Sequence, residues 1–200
     1  MKSQLKKSID RVVRGMAYWI AYKNETSAVK FTEADAVTEM ANMLRFTLPN
    51  SVKVDREVAY KSICSSIKDS RRADLGVFIG DECQCVIEVK LSENTNGGFQ
   101  RDIKKLDDLK ANASDIDCYV ILLYRNSCGI NEPNSFVSED GKALKKTMSV
   151  GQSKIRVRRV SNALCSPTAN KMKKGVNKII PPISVTSFSI GIMVFALEQL

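Results

Sequence analysis

Two carboxylates and one lysine on neighbouring predicted strands are the residues of this sequence best suited to carry out a reaction. Side chains along a strand point to opposite faces in alternation, so Glu88 and Lys90 share one face of their strand. Asp74 lies in the preceding strand, and opposed residues on two paired strands have Cβ atoms about 4.5–5.5 Å apart. Two carboxylates that close repel each other unless a cation binds between them or one takes up a proton. The three side chains therefore predict a divalent-cation site with a lysine beside it.

The loop between the two strands decides whether the carboxylates face each other. A three-residue loop over 80–82 places Asp74 opposite Glu88, whereas a two-residue turn places Leu75 there instead. The predicted site therefore depends on the length of this loop.

An Asp on one strand and Glu-Val-Lys on the next resembles the PD-(D/E)xK nuclease superfamily, the fold of many restriction endonucleases and junction resolvases. The matching residues are Asp74, Glu88 and Lys90, with Ala73 where the family's name has proline. The same spacing of an acidic residue and a lysine recurs at Asp102/Lys104, Asp108/Lys110 and Asp140/Lys142. Only the pair in the apolar strand has an Asp on the preceding strand, and that context carries the resemblance.

The resemblance implies a Mg²⁺- or Mn²⁺-dependent enzyme that hydrolyses phosphodiester bonds of DNA. Asp74 and Glu88 would bind the metal ion together with the main-chain carbonyl of Val89, because Mg²⁺ prefers oxygen ligands. Lys90 would orient or deprotonate the attacking water and offset developing negative charge. A divalent ion nearby would lower the pKa of that ammonium group, as a general base near neutral pH requires.

A helix before the first strand offers a further acidic residue. Thr32 and Asp35 form a variant of the capping box, and the helix should end before Pro49. Glu33 falls in line with the apolar stripe of this helix, while Glu39 lies well round the cylinder. The family often supplies an additional Glu from such a helix, which implies Glu33 as a catalytic residue, with Glu39 as the alternative. The helix dipole alone also favours Glu in a first turn.

The order of predicted elements indicates one α/β domain over residues 1–200, with a basic C-terminal part over 142–200. Helix, hairpin, crossover helix and buried strand predict a restriction-endonuclease-like core, a mixed β-sheet flanked by helices. On the crossover helix, the charged residues Asp102, Lys104 and Lys105 are expected at the surface. The predicted helices cover 3–22, 32–47 and 99–113, and the predicted strands cover 51–60, the hairpin within 71–91, and 118–124, the last one buried on both faces.

The C-terminal third is less regular. A loop is expected over 126–141, a strand over 153–164, a short helix over 169–178, and buried strand and helix within the uncharged run 179–197. Pro181, Pro182 and four Ser or Thr residues argue against a membrane span in that run, so no membrane partner is expected.

The net charge of +9 is unevenly distributed. From residue 142 to 178 there are eleven Lys or Arg and no Asp or Glu. Such a segment attracts phosphates regardless of sequence, which makes DNA the expected partner and RNA the alternative. The first helix adds Lys6, Lys7, Arg11 and Arg14 outside its apolar stripe, a second candidate for phosphate contact. Cutting both strands of a duplex usually requires two sites, so a homodimer would suit the function.

Two other classes of protein fit the same charge distribution. One is a non-catalytic nucleic-acid-binding module that retains the nuclease fold, and the other is a basic module that docks on lipid or protein. The chain has no histidine and no paired CxxC spacing, which excludes a mixed Cys/His zinc site. Cys83, Cys85 and Cys118 lie in apolar runs, where free cysteine behaves as a small hydrophobe. A reduced, cytoplasmic protein is therefore expected.

Overall fold

The computed structural model describes residues 2–26, 32–68, 70–91, 98–125, 147–150, 153–165 and 188–199. The loop predicted over 126–141, the helix over 169–178 and the first part of the run 179–197 lie outside these residues. The helices are α1 (Lys2–Thr26), α2 (Glu33–Thr47), α3 (Tyr60–Ile63) and α4 (Gly98–Asn112). The strands are β1 (Val52–Ala59), β2 (Arg72–Ile79), β3 (Glu82–Leu91), β4 (Asp117–Arg125), β5 (Thr147–Val150), β6 (Ser153–Cys165) and β7 (Phe188–Gln199).

Seven strands form one sheet in the order β1-β2-β3-β4-β7-β6-β5. β3 and β4 run parallel, because α4 crosses between them, and every other neighbouring pair is antiparallel. The prediction of an α/β fold with a mixed sheet flanked by helices is confirmed. Within the described parts of the chain, no helix combines the length and apolar character needed to cross a membrane.

The two faces of the sheet pack against different helices, which gives two apolar clusters. α1 and α2 cover one face, and α4 covers the other with Ile103, Leu106 and Leu109. β4 was predicted to be buried on both faces, and this is confirmed. Its residues Tyr119, Ile121 and Leu123 belong to the first cluster, while Cys118, Val120 and Leu122 belong to the second. Ile103, Leu106 and Leu109 fix α4 against the sheet, because the burial of each of these side chains contributes about 1.5–3 kcal/mol. The polar residues on the same side of α4 are therefore held against the sheet as well.

The turn between β2 and β3 is the shorter of the two alternatives. It contains two residues, Gly80 and Asp81, and Ile79 pairs with Glu82. Gly80 has φ of 56°, which glycine adopts without a Cβ penalty and which a type II′ turn requires at its first position. The three-residue loop over 80–82, on which the pairing of Asp74 with Glu88 was expected to depend, does not form, because the glycine-first turn lets Glu82 join the strand.

A β-bulge in β3 then changes the register. Phe78 pairs with Cys83, but Val77 pairs with Cys85, so Gln84 is an additional residue on its strand. Such a bulge advances one strand by one residue relative to its partner. The pairing beyond it is the one that the three-residue loop would have produced.

The corrected register brings the two predicted carboxylates together. Leu75 pairs with Ile87, not with Glu88. One step further along these antiparallel strands, Asp74 stands opposite Glu88. The predicted pairing of the carboxylates therefore arises from a shorter turn combined with a bulge.

The cysteines of the sheet are protonated thiols in apolar surroundings. Burial raises the pKa of Cys83 to about 11 and that of Cys118 to about 12, and it raises the pKa of Cys85 well above its usual value. All three are free cysteines. They act as small hydrophobic residues, as the sequence predicts.

Candidate active site

The polar side chains converge on the sheet face that α4 covers, at the end of β3. Side chains from five elements contribute to the site, and four of these side chains were predicted from the sequence. The residues are Glu33 of α2, Tyr60 of α3, Asp74 of β2, Glu88 and Lys90 of β3, and Asp102 and Lys105 of α4.

Glu88 is the most deeply buried acid of the group, with 1% of its surface exposed. The Tyr60 hydroxyl donates a hydrogen bond of 2.6 Å to Glu88 Oε1, and Lys105 Nζ lies 3.7 Å from the same oxygen. Burial, followed by the charge of Asp74, raises the pKa of Glu88 to about 8, against the lowering effects of Lys105 and of the Tyr60 hydrogen bond. With protein groups alone around it, Glu88 therefore carries a proton at neutral pH.

Asp74 is held by the main chain of β3. The Val89 N–H donates a hydrogen bond of 2.6 Å to Asp74 Oδ2. Burial raises the pKa of Asp74 more than the hydrogen bonds from Val89 and Glu88 lower it. The two carboxyl groups thus share a proton between them. The structure places the Val89 main chain at the site through its N–H, and the role of its carbonyl stays a prediction.

Lys90 lies between two acids. Its Nζ donates a hydrogen bond of 3.1 Å to Glu33 Oε1 and lies 3.3 Å from Asp102 Oδ2. Burial lowers the pKa of Lys90, but the hydrogen bonds and charges of Glu33 and Asp102 outweigh it, so that the net change is upward. A lowered pKa was expected beside a divalent ion. With carboxylates as its neighbours, Lys90 is instead a stable ammonium ion.

Glu33 reaches the site because the capping box fixes the start of α2. Asp35 N donates a hydrogen bond to Thr32 Oγ1, and Thr32 N donates one of 2.9 Å to Asp35 Oδ2, as the sequence predicts. Glu33 is the first residue of the helix, and its Oε2 accepts a hydrogen bond of 3.1 Å from Leu91 N. Glu39, the alternative, makes no hydrogen bond or ion pair with any residue that the structure describes.

Sequence reasoning missed two residues of α4. Asp102 was expected at the surface, but only 4% of it is exposed, and Lys105 Nζ lies 2.6 Å from Asp102 Oδ1. The surface prediction is wrong for Asp102 and right for Lys104, which is exposed, while Lys105 is half-buried. Asp102 precedes Leu106 and Leu109 by four and seven residues, the spacing of one helix face. That spacing was the available signal that Asp102 faces the sheet.

Sequence reasoning also missed Tyr60. It was expected to end the first strand, but it begins α3 and is buried. A buried tyrosine hydroxyl needs a hydrogen-bond partner, and here the partner is Glu88. The Arg71 guanidinium lies 5.8 Å from the Tyr60 ring centroid and forms an ion pair of 2.7 Å with Asp108. Burial raises the pKa of Tyr60, so the hydroxyl acts only as a donor toward the acid.

The charges of the site fit a divalent cation. Glu33, Asp74, Glu88 and Asp102 outnumber the two ammonium groups by two when all are ionised. Asp102 Oδ2 is buried without a hydrogen bond, although it lies within ion-pair distance of Lys90. Carboxylate oxygens are the ligands that Mg²⁺ prefers. Within the described residues, however, no three acidic, cysteine or histidine side chains form a group that could hold a metal ion. The fit therefore rests on two carboxylates with main-chain and water oxygens.

Comparisons of this chain with protein-family models, with curated proteins and with solved structures found no match. The resemblance to the PD-(D/E)xK superfamily therefore rests on the residues of the site themselves. The arrangement around Asp74 and Glu88 is what supports an assignment of function.

Proposed function

We propose that this chain is a Mg²⁺- or Mn²⁺-dependent nuclease, with a restriction-endonuclease-like core, that hydrolyses phosphodiester bonds of DNA in the cytoplasm. The observation that carries the proposal is the adjacency of Asp74 and Glu88, which Lys105 and Asp102 connect to Lys90. A purely structural sheet face does not need two adjacent carboxyl groups that are buried and whose pKa values are both raised.

Asp74 and Glu88 would hold the cation, together with the carbonyl of Val89. The Val89 N–H occupies Asp74 Oδ2, while Tyr60 and Lys105 occupy Glu88 Oε1. The second oxygen of each carboxyl group is therefore the one available to a cation. When bound, the ion would supply charge stabilisation to the phosphate and acidity to a water molecule. Its binding displaces the proton that the two carboxyl groups share.

Lys90 and Lys105 would stabilise the negative charge that develops on the phosphate. The side chain of Lys90 is 16% exposed and that of Lys105 is 28% exposed, so both reach the mouth of the site. The raised pKa values of Lys90 and Lys105 keep both protonated at neutral pH. We therefore assign Lys90 to orienting the attacking water and to charge stabilisation, not to proton abstraction. Glu33 and Asp102 position this ammonium group.

A non-catalytic nucleic-acid-binding module is the second candidate. The observation that favours it is the closed network around Glu88, in which Tyr60 and Lys105 satisfy one carboxyl oxygen without a metal ion. Such a protein would bind DNA through its basic surface and would leave the strand intact.

Incubation of the purified protein with plasmid and oligonucleotide DNA, with Mg²⁺, Mn²⁺ or EDTA, separates the two candidates. We expect cleavage with either metal, its loss in EDTA, and a loss of at least a hundredfold in Asp74→Asn and Lys90→Ala with DNA binding retained. Lys104→Ala is the matched control, because this lysine is exposed and directly precedes Lys105 in α4. DNA binding without cleavage under any metal would contradict the nuclease proposal and favour the second candidate.

A further inference from the structure

One face of α1 carries an uninterrupted set of exposed basic and aromatic residues. Lys7, Arg11, Arg14 and Tyr18 are exposed, and Tyr18 has 72% of its surface accessible. At 100° per residue these four fall within an arc of about 60°, which is opposite the buried side of the helix. We refer to these four residues as the basic stripe.

The cations of the basic stripe are unpaired within the part of the chain that the structure describes. None of its members makes a hydrogen bond or an ion pair with those residues. Asp10, the nearby acid, is half-buried and has a contact of its own. Elsewhere on the surface, Lys53 is paired with Asp55 at 2.6 Å and Arg45 donates to the Val54 carbonyl at 2.7 Å. The basic stripe differs from these two cations because its three charges lie together on one helix face.

The helix that carries the basic stripe, α1, lies next to a strand with a basic sequence and next to α2, which begins with Glu33. α1 lies against β6, whose sequence contributes Lys154, Arg156, Arg158 and Arg159. Ser8 Oγ donates to the Thr47 carbonyl, and a Cβ on Gly15 would lie 3.3 Å from Met43 Sδ, so α1 and α2 run antiparallel. The Tyr18 end of the stripe therefore lies toward the end of α2 at which Glu33 enters the site.

We propose that the basic stripe binds the phosphate backbone of a nucleic acid strand and that Tyr18 stacks on a base at the end of this contact. The inference rests on the proposed function, since it takes DNA as the substrate. Four residues spaced four, three and four apart span about 17 Å of helix, enough for the three cations to contact separate phosphates. Tyrosine adds a stacking surface that every base can use.

A membrane is a poorer partner for this surface. A helix that lies in a membrane interface inserts an apolar face beside its basic residues. In α1 the apolar side is buried in the core through Ile9, Val13 and Met16, among others. Tyr18 is the one exposed large hydrophobic residue of α1 among the side chains that the structure describes. Phosphates therefore match the charge of this surface, whereas Tyr18 alone among the described side chains of α1 offers lipid chains a large exposed apolar surface.

The test compares two variants that each remove three exposed basic charges. Lys7→Gln/Arg11→Gln/Arg14→Gln removes the stripe, and Arg56→Gln/Lys61→Gln/Lys68→Gln is the matched control from exposed positions elsewhere. Both are made in the Asp74→Asn chain and measured in EDTA, so that no DNA is cut. Fluorescence anisotropy with a labelled oligonucleotide then gives the association constant across a range of salt concentrations.

Removing the stripe should weaken binding to a single-stranded oligonucleotide at least tenfold and reduce the slope of log K against log salt by about 2.1, or about 0.7 for each phosphate contact. The control variant should change this slope by much less. Equal losses in both variants would overturn the proposal, because they would show an effect of net charge alone. Unchanged binding in the stripe variant, or no DNA binding by the parent chain, would overturn it as well.

Substitutions of Tyr18 and binding to lipid vesicles provide two further tests. Tyr18→Ala should weaken binding to a single strand by about tenfold, while Tyr18→Phe should retain it, since both rings stack. Vesicles that contain phosphatidylserine test the membrane alternative: loss of vesicle binding in the stripe variant with DNA binding intact would overturn the proposal. Thermal midpoints of all variants should match the parent chain because the residues are exposed.

The outcome is separable from that of the nuclease test. Stripe variants that bind DNA as the parent does, while the native chain cuts DNA, overturn the stripe alone. Stripe-dependent binding by a native chain that never cuts DNA supports the stripe and contradicts the nuclease proposal.

Discussion

The proton that Glu88 and Asp74 share links the site to the stability of the protein. The pKa of Glu88 is about 8 in the folded chain, against about 4.3 for an unperturbed Glu. The unfolded chain therefore releases this proton at lower pH than the folded chain does. Stability should fall as the pH rises from about 4.5 to 8, at no more than about 1.4 kcal/mol per pH unit for this one group.

Glu88→Gln should remove most of this pH dependence, because glutamine keeps a polar group beside Tyr60 without an ionisable proton. Metal-free protein should therefore show a falling thermal midpoint between pH 5 and 8.5 for the native chain and a flatter curve for the variant. Glu39→Gln is the control, since this glutamate makes no contact with the described residues of the site. The same fall in midpoint for Glu88→Gln and the native chain would show that another group is responsible.

Cation binding should release a proton. A carboxyl group must be ionised to act as a ligand, so Mg²⁺ or Mn²⁺ at pH 7 should displace about one proton from the pair of Asp74 and Glu88. Above pH 9, where Glu88 is already ionised, the release should approach zero. Calorimetric titrations in buffers of different ionisation enthalpy measure the number of protons. Heats that do not depend on the buffer at pH 7 would contradict the assignment of these ligands.

At the scale of elements, the packing of β2 depends on Gly76, which has no side chain. A Cβ on Gly76 would lie 2.7 Å from Cε2 of Phe78 and 3.0 Å from Cγ2 of Val58. Gly76→Ala should destabilise the protein by about 1–3 kcal/mol in urea unfolding, the usual cost of overpacking. It should also weaken cation binding, because Asp74 lies two residues away on the same strand.

A second substitution tests whether the ring is the cause. In the Gly76→Ala chain, Phe78→Leu shortens the side chain that causes the closer overlap. We expect the double variant to be more stable than the sum of the two single losses predicts. Strict additivity would show that Phe78 is not what excludes the Cβ.

The elements that the sequence predicts well are those fixed by neighbours along the chain. The start of α2 follows from Thr32 and Asp35, three residues apart, and the alternation of β3 follows from its own side chains. Contacts between distant residues leave no such signal. The hydrogen bond from Lys90 to Glu33 joins residues 57 positions apart, and the sequence leaves two turn lengths open and does not mark the bulge. Asp102 was misplaced because Lys90, one of its two partners, lies on another element.

At the scale of the whole molecule, the site depends on strands that contribute none of its residues. The side chains of the site come from positions 33 to 105, yet β4, next to β3, is paired along its other edge with β7. The pairs from Cys118 with Leu197 to Arg125 with Ile190 cover that edge. β7 in turn carries β6, against which α1 lies.

A chain that ends at residue 125 should therefore fail to fold, although it contains the complete site. Its β4 would expose a long apolar edge, which favours aggregation. Circular dichroism and size-exclusion chromatography should show loss of cooperative unfolding and formation of large species. A soluble fragment with a cooperative transition and native cation affinity would contradict this dependence.

The bulge at Gln84 has a consequence for how this hairpin tolerates changes in length. The pairing of Asp74 with Glu88 depends on the total number of unpaired residues in the loop and in the bulge of β3. One additional residue therefore has the same effect on this pairing whether it lies in the loop or in the strand. Deleting Gln84 alone would rotate every later side chain of β3 to the other face. Deleting it while lengthening the loop by one residue would leave the reacting groups where they are, so insertions and deletions here can compensate each other.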